Sequence, residues 1–343
     1  MLEIDGSYGE GGGQLVRTAV ALAAMTGKAI LIRNIRAKRP KSGLAAQHLT
    51  AVRAVATLCS AEVSGLEIGA GEIVFRPRQL HGGDFTFDVG TAGSVTLVLQ
   101  AVLPAAIACS EPSRLSLTGG TDVKAAPPLD YFRYVLLSLL NRMTLQASVT
   151  VQRCGYYPRG GGMIEVNINP AQPLRPLCLE TPGALEEING IVHIANLPAH
   201  ILERMRQTAL NTLSGFPKVH IAAQALGGND AIGQGGAIAL WARTQHTLLG
   251  AATTAERGVT AERIGSETAQ ALRDEITAGV TLDIHASDQI LLYLAMAQGP
   301  SRFLVRTLSS HAHTTMWLLR QFLPVRFHST QIGGLIHLDV FPS

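Results

Sequence analysis

The chain is poor in charge. Only 15% of its 343 residues are Asp, Glu, Lys or Arg, and the formal net charge is +3, so net charge alone does not mark a nucleic-acid binder. Low charge combined with 47% hydrophobic residues excludes a disordered chain and allows a substantial core. Cysteine is scarce too. Cys59, Cys109, Cys154 and Cys178 show no CxxC spacing and sit in apolar or strand-like contexts, which excludes a zinc ribbon and a disulfide scaffold. They read as free thiols in a reducing compartment, and a cytoplasmic location is expected. No apolar run is long enough for a membrane span. The longest, Val95 to Cys109, contains Gln100 and Pro104 and reads as a buried helix. The acidic, glycine-rich start carries no signal-peptide pattern.

Glycine, at 35 residues, is abundant and implies many tight turns and close backbone approaches. Laid against itself, the chain follows one script three times. GGGQLVRTAVALAAMTG (11–27), GTAGSVTLVLQAVLPAAIACS (90–110) and HASDQILLYLAMAQGP (285–300) each open on a glycine or polar cap and continue as an apolar helix. Each then enters a β-rich stretch: KAILIRNIRAKR, SRLSLTGGTD and SRFLVRTLSSHAH. A second helix follows in each case (SGLAAQHLTAVRAVATLC, PPLDYFRYVLLSLLNRM, TTMWLLRQFLPV), then a hairpin whose second strand is entered through glycine. The expected fold class is α/β of the α+β kind: three βαβαββ units, at about 1–80, 81–182 and 280–343, form one large domain. Residues 183–279 have their own strands, helices and a glycine-rich loop, and read as a smaller inserted α/β domain.

Helix N-termini and strand exits in such units gather at one end of the sheets, where free N–H groups and a partial positive charge favour phosphate. The positions concerned hold Gly9 to Gln14 (GEGGGQ), Gly90 to Ser94, His285 to Gln289, Arg36 and Arg39, Gly119 to Asp122, and Ser309 to His313. Glycines, arginines, carboxylates and histidines suit a nucleotide-polyphosphate site. GEGGGQ lacks the lysine and Ser/Thr of a P-loop, so a Walker-type ATPase is not indicated. The stretch Arg33 to Lys41 puts five cations in nine residues, readable as a solvated basic loop or as a phosphate contact. YYPRGGG (156–162) is readable as a hairpin entry. His311 and His313 follow the strand FLVRTLSS just before a helix; a neutral imidazole there can attack a phosphorus atom, with cations and a metal to neutralise charge.

At these residues the chain resembles the RNA 3′-terminal phosphate cyclases over essentially its whole length. The matching stretches are IDGSYGEGGGQLVRTA, IRNIRAKRPKSGLAAQHLTAV, DVGTAGSVTLVLQAVLP, LTGGTDVKAAPPLDYF, GYYPRGGGMIEV, HASDQ, and His-x-x-Thr at His311 to Thr314. The resemblance implies three units, each like the C-terminal domain of bacterial translation initiation factor 3, with a small domain inserted before the third. It implies that a histidine attacks ATP to give protein–AMP and pyrophosphate. AMP then passes to an RNA 3′-phosphate, and the 2′-OH closes a 2′,3′-cyclic phosphate as AMP leaves. His311 is the implied nucleophile, with His313 as the alternative. The implied nucleotide-binding residues are Gln100, Pro127, Tyr131, His285, Asp288, Gln289 and Tyr293. Arg17, Arg36, Arg39, Gln47 and His48 are implied at the phosphates and RNA end, and Glu10 at a Mg²⁺ or Mn²⁺ ion.

The expected partners are ATP and RNA ending in a 3′-phosphate, with no membrane; a homodimer is compatible with a globular enzyme of this size. Two other classes compete. A catalytically silent RNA-binding relative acting in ribosome or RNA maturation would lack the histidine. An enolpyruvyl transferase, also built of βαβαββ units, would use no ATP.

Overall fold

A computed structural model describes residues 1–170 and 173–342. The first sheet is built from β1 (Leu2–Asp5), β2 (Ile30–Arg33), β3 (Glu62–Ser64) and β4 (Ile73–Arg76) in the order β1-β2-β4-β3. Helices α1 (Gly13–Thr26) and α2 (Ala46–Leu58) connect its strands. The second sheet has β5 (Gly83–Asp88), β6 (Ser113–Gly119), β7 (Ala147–Gly155) and β8 (Gly162–Ile168) in the corresponding order β5-β6-β8-β7. Helix α3 (Val95–Ile107) lies between β5 and β6. Between β6 and β7 runs a helix made of α4 (Leu129–Tyr131), a π turn (Phe132–Leu136) and α5 (Leu137–Arg142).

A different sheet follows: β9 (Leu185–Ala195), β10 (Val219–Leu226), β12 (Gly235–Thr244) and β13 (Leu248–Thr254), in the order β10-β9-β12-β13, with helices α6 (Ala199–Thr212) and α7 (Ala261–Ala278). The short β11 (Ala231–Ile232) leaves it to pair with β7. Then come α8 (Ile284–Leu294), β14 (Ser301–Val305), α9 (Ser310–Phe322), β15 (Arg326–Ile332) and β16 (Leu335–Phe341), the strands ordered β14-β16-β15. Cys178 lies parallel to Arg302 at the free edge of β14, as β1 lies beside β2 and β5 beside β6. The stretch around Cys178, placed with the second unit on sequence, thus pairs with the third sheet.

The chain is a mixed α/β protein of the expected α+β class. Its layers follow from which helices are apolar all round. In α3 every residue from Val95 to Ile107 except Gln100 is buried, so this helix sits at the centre. Helices α1, α2, α8 and α9 and the 129–142 helix join it in one apolar cluster that runs from Ile4 to Val340. A separate cluster, including Ile188, Met205, Leu240 and Leu272, lies under the β10-β9-β12-β13 sheet. Among the described residues no helix is long and apolar enough to cross a membrane.

Candidate active site

The first turns of five helices open onto one cavity of about 580 Å³. Gly13, Gln14 and Arg17 come from α1, Gln47 and His48 from α2, and Leu97 and Gln100 from α3. His285, Asp288 and Gln289 come from α8, and His311 from α9. The loops add Glu10, Arg36, Arg39 and the segment Ala125 to Pro128, with Tyr131 behind it. Converging helix N-termini present free N–H groups and positive potential to whatever fills the space.

Of the residues expected at the site, all but Tyr293 line this cavity. His285, Asp288 and Gln289 share one face at i, i+3 and i+4; Tyr293 is a turn further along α8 and is buried. It borders a void of about 40 Å³ behind Gln14, Arg17 and Gln100.

His311 lies within the first turn of α9 rather than ahead of a helix, because Ser309 caps α9 by accepting the Ala312 N–H. Its Nδ1 is 2.5 Å from Gln14 Oε1, an oxygen that can only accept, so Nδ1 carries the proton and Nε2 a lone pair. Gln14 is itself fixed by donating to Thr315 Oγ1 at 2.9 Å. Burial lowers the His311 pKa; Glu10 opposes this, and Arg17, Arg39 and His285 reinforce it. The ring is therefore neutral at neutral pH. His313, exposed, is not among the cavity's lining residues.

Glu10 Oε2 sits 3.5 Å from His311 Nε2 and 3.2 Å from Arg39, while its Oε1 accepts from Ser310. Its loop needs glycine on both sides. Gly9 has φ +61°, and a Cβ there would meet Thr314 Oγ1 at 2.2 Å. At Gly13 a Cβ would fall 1.9 Å from His48 Nε2.

Of the phosphate-suited arginines, Arg39 pairs with Glu10, while Arg17 and Arg36 have no carboxylate partner among the described residues. Arg17 is 7% exposed, its Nε has no partner among the described residues, and burial brings its pKa down to about 10. His48 accepts the Ala45 N–H at Nδ1, so its proton is on Nε2; burial, then Arg17 and Arg36, lower its pKa to about 3. It is a fixed neutral donor. Arg36 donates to the Gly43 carbonyl at 2.7 Å, and Gln47 accepts the Ser94 N–H at 3.1 Å. The basic stretch thus divides: Arg36 and Arg39 face the cavity, and Arg33 pairs with Glu3 and Glu72 outside it.

On the opposite wall Gln100 donates to Gln289 at 2.6 Å, and Gln289 donates to the His285 carbonyl at 2.9 Å. Tyr131 gives its hydroxyl to Asp283 at 2.7 Å, which leaves its ring for the cavity. Asp283, not singled out on sequence, caps α8 and also accepts the Gly250 N–H. Burial raises the Asp288 carboxyl to about 6 against the Ser309 hydrogen bond. YYPRGGG forms the β7–β8 connection and does not line the cavity.

Asp122, expected among the convergent strand exits, turns away. It lies 3.5 Å from His193 of β9, whose other nitrogen is 3.4 Å from Asp130. Burial alone would lower the His193 pKa, but the two carboxylates raise it to about 10. The sequence signal was a lone histidine inside the apolar strand GIVHIANL.

A histidine, three arginines and several helix N-termini around one cavity suit the binding of phosphate groups. Residues 8–329 match the RNA 3′-terminal phosphate cyclase family. A protein named RNA 3′-terminal phosphate cyclase from Nitrosospira multiformis is 58% identical over 342 residues, covering 100% of this chain and 97% of that protein. One of the same name from Methanopyrus kandleri is 46% identical, covering 97% and 96%. The chain belongs to the RNA 3′-terminal phosphate cyclase family. Among solved structures, the enolpyruvyl transferase NikO from Streptomyces tendae matches 100% of this chain and 66% of its own at 12% identity and TM-score 0.29, a likeness that carries no argument.

Proposed function

We propose that the chain converts an RNA 3′-terminal phosphate into a 2′,3′-cyclic phosphate, using ATP through a covalent AMP on His311. The observation that carries this reading is the Gln14–His311 contact, which frees Nε2 as a neutral nucleophile inside the cavity. The Nε2 lone pair attacks the α-phosphorus of ATP, the N–P bond forms, and the α–β phosphoanhydride bond breaks as pyrophosphate leaves. An oxygen of the RNA 3′-phosphate then attacks the same phosphorus, the N–P bond breaks, and His311 returns to neutral. Attack by the vicinal 2′-hydroxyl on the RNA phosphate expels AMP and closes the ring, with the hydroxyl proton passing to solvent.

The space between Pro127, Tyr131 and the Gln100–Gln289 pair suits an adenine, whose faces accept aromatic contact. Asp288 and His285 stand beside it on the α8 first turn. Arg17, Arg36, Arg39, Gln47 and the Nε2–H of His48 suit phosphate oxygens, arginine through paired N–H donors. Among the described residues no group of three acidic, histidine or cysteine side chains forms a metal cage. Glu10 alone fits Mg²⁺ or Mn²⁺, which takes one or two carboxylates and fills the rest with phosphate oxygens and water. Such an ion would neutralise phosphate charge.

Residues 1–182 with 280–343 serve as the catalytic body, and 183–279 as an inserted body that backs the nucleotide wall through His193 and Gly250. The free thiols suit the reducing cytoplasm. The test is incubation of 3′-phosphorylated RNA with ATP and Mg²⁺ or Mn²⁺. The reading expects a phosphatase-resistant RNA end formed in step with AMP and pyrophosphate. An end that stays phosphatase-sensitive overturns it.

A further inference from the structure

The loop carrying Glu10 runs along one flank of α9 in matched steps. Glu10 accepts from Ser310, Gly9 packs on Thr314, and the Tyr8 ring stacks on Trp317 with centroids 3.9 Å apart and planes at 14°. Trp317 is half-buried against the main core and so anchors the pair. Trp317 covers one ring face, and Tyr8 remains 41% exposed. His313 stands exposed one turn before Trp317 on the same flank. Lys38 donates to the Gly9 carbonyl at 3.2 Å, and Lys41 is exposed close by in sequence. An anchored, partly exposed ring with a lysine held at the next residue is what a single-stranded nucleic acid needs: stacking for a base and charge for its backbone.

We propose that the exposed ring of Tyr8 receives a base of the RNA strand just upstream of the terminal phosphate. This rests on the reading of the cavity as the site of the RNA end. Its place on the strand follows from the helix. Trp317 follows His311 by six helical steps, ~9 Å at 1.5 Å per residue. With stacked nucleotides spaced ~3.4 Å apart along one strand, the base lies within about three nucleotides of the end. Stacking tolerates any base, so the subsite confers a need for single-stranded RNA without a sequence preference.

The test is equilibrium binding of a 3′-phosphorylated hexaribonucleotide, with single abasic substitutions at each of the last three positions. It is read by fluorescence anisotropy without ATP on the wild type, Tyr8→Ala and Tyr8→Phe. At one position the abasic change weakens binding to the wild type about 5-fold, the low end of one base–aromatic stack. That penalty disappears in Tyr8→Ala and returns in Tyr8→Phe. An equal abasic penalty in wild type and Tyr8→Ala, or no penalty at any of the three positions, overturns the proposal and leaves the Tyr8–Trp317 pair as a clasp for the loop. The readout needs no catalysis, so a protein that never forms a cyclic end would fail the proposed function and still decide this point.

Discussion

Gln14 and His311 stand 297 residues apart in the chain, yet the Gln14 carbonyl oxygen accepts the Nδ1 proton of His311 at 2.5 Å. One amide thus chooses the tautomer of the proposed nucleophile. Gln14→Ala frees the ring to place its proton on either nitrogen and to rotate. The rate of AMP transfer onto the protein is expected to fall about 10–100-fold, as when an orienting partner of a functional histidine is removed. The KM for ATP is expected to stay near the wild-type value. Single-turnover labelling over a range of ATP concentrations separates the two; a change confined to KM contradicts the role assigned to Gln14.

Arg17 is buried with no carboxylate partner among the described residues, a state that costs stability when no anion is bound. Arg17→Met keeps the length of the side chain and removes the charge. The melting temperature of the free protein is expected to hold or rise. Meanwhile kcat/KM for the 3′-phosphorylated RNA falls on the order of 100-fold, the scale of a desolvated charge contact. A Tm drop of many degrees would instead make Arg17 a structural residue.

His193 links β9 to Asp122 and Asp130, and Asp130 is also held by Arg133 at 3.1 Å. Its pKa of about 10 in the fold lies above the ordinary 6.5. The protonated form therefore stabilises the fold fully below about pH 6.5, and this contribution is lost as pH rises towards about 10. His193→Gln is expected to destabilise the protein by about 3–5 kcal/mol at pH 6, because two carboxylates are left facing each other. The gap from wild type narrows by pH 9.5. Urea unfolding at both values measures it, and a gap that widens with pH contradicts the assignment.

Much of this was legible in the sequence, for identifiable reasons. Apolar periodicity gave the helices, and glycine-led alternation gave β7–β8 and β15–β16, because both patterns are local. The abundance of glycine implied close backbone approaches, and two of them are Gly9 on Thr314 and Gly13 on His48. Tyr293 lines a small adjoining void and not the main cavity, and a motif match does not say which face of α8 a residue takes. The pairing of Gln14 with His311, the cap role of Asp283 and the His193 cluster were not legible. Each depends on residues brought together only by packing of the sheets and helices.

The most direct measurement is labelling with α-labelled ATP and Mg²⁺ or Mn²⁺, followed on a denaturing gel, for wild type, His311→Ala and His313→Ala. Label that is acid-labile and alkali-stable marks a phosphoramidate. A cavity-facing, neutral His311 predicts label on the wild type and His313→Ala and none on His311→Ala. Label retained by His311→Ala would contradict the assigned nucleophile, and an unlabelled, folded wild type would turn the protein into a silent RNA-binding member of its family.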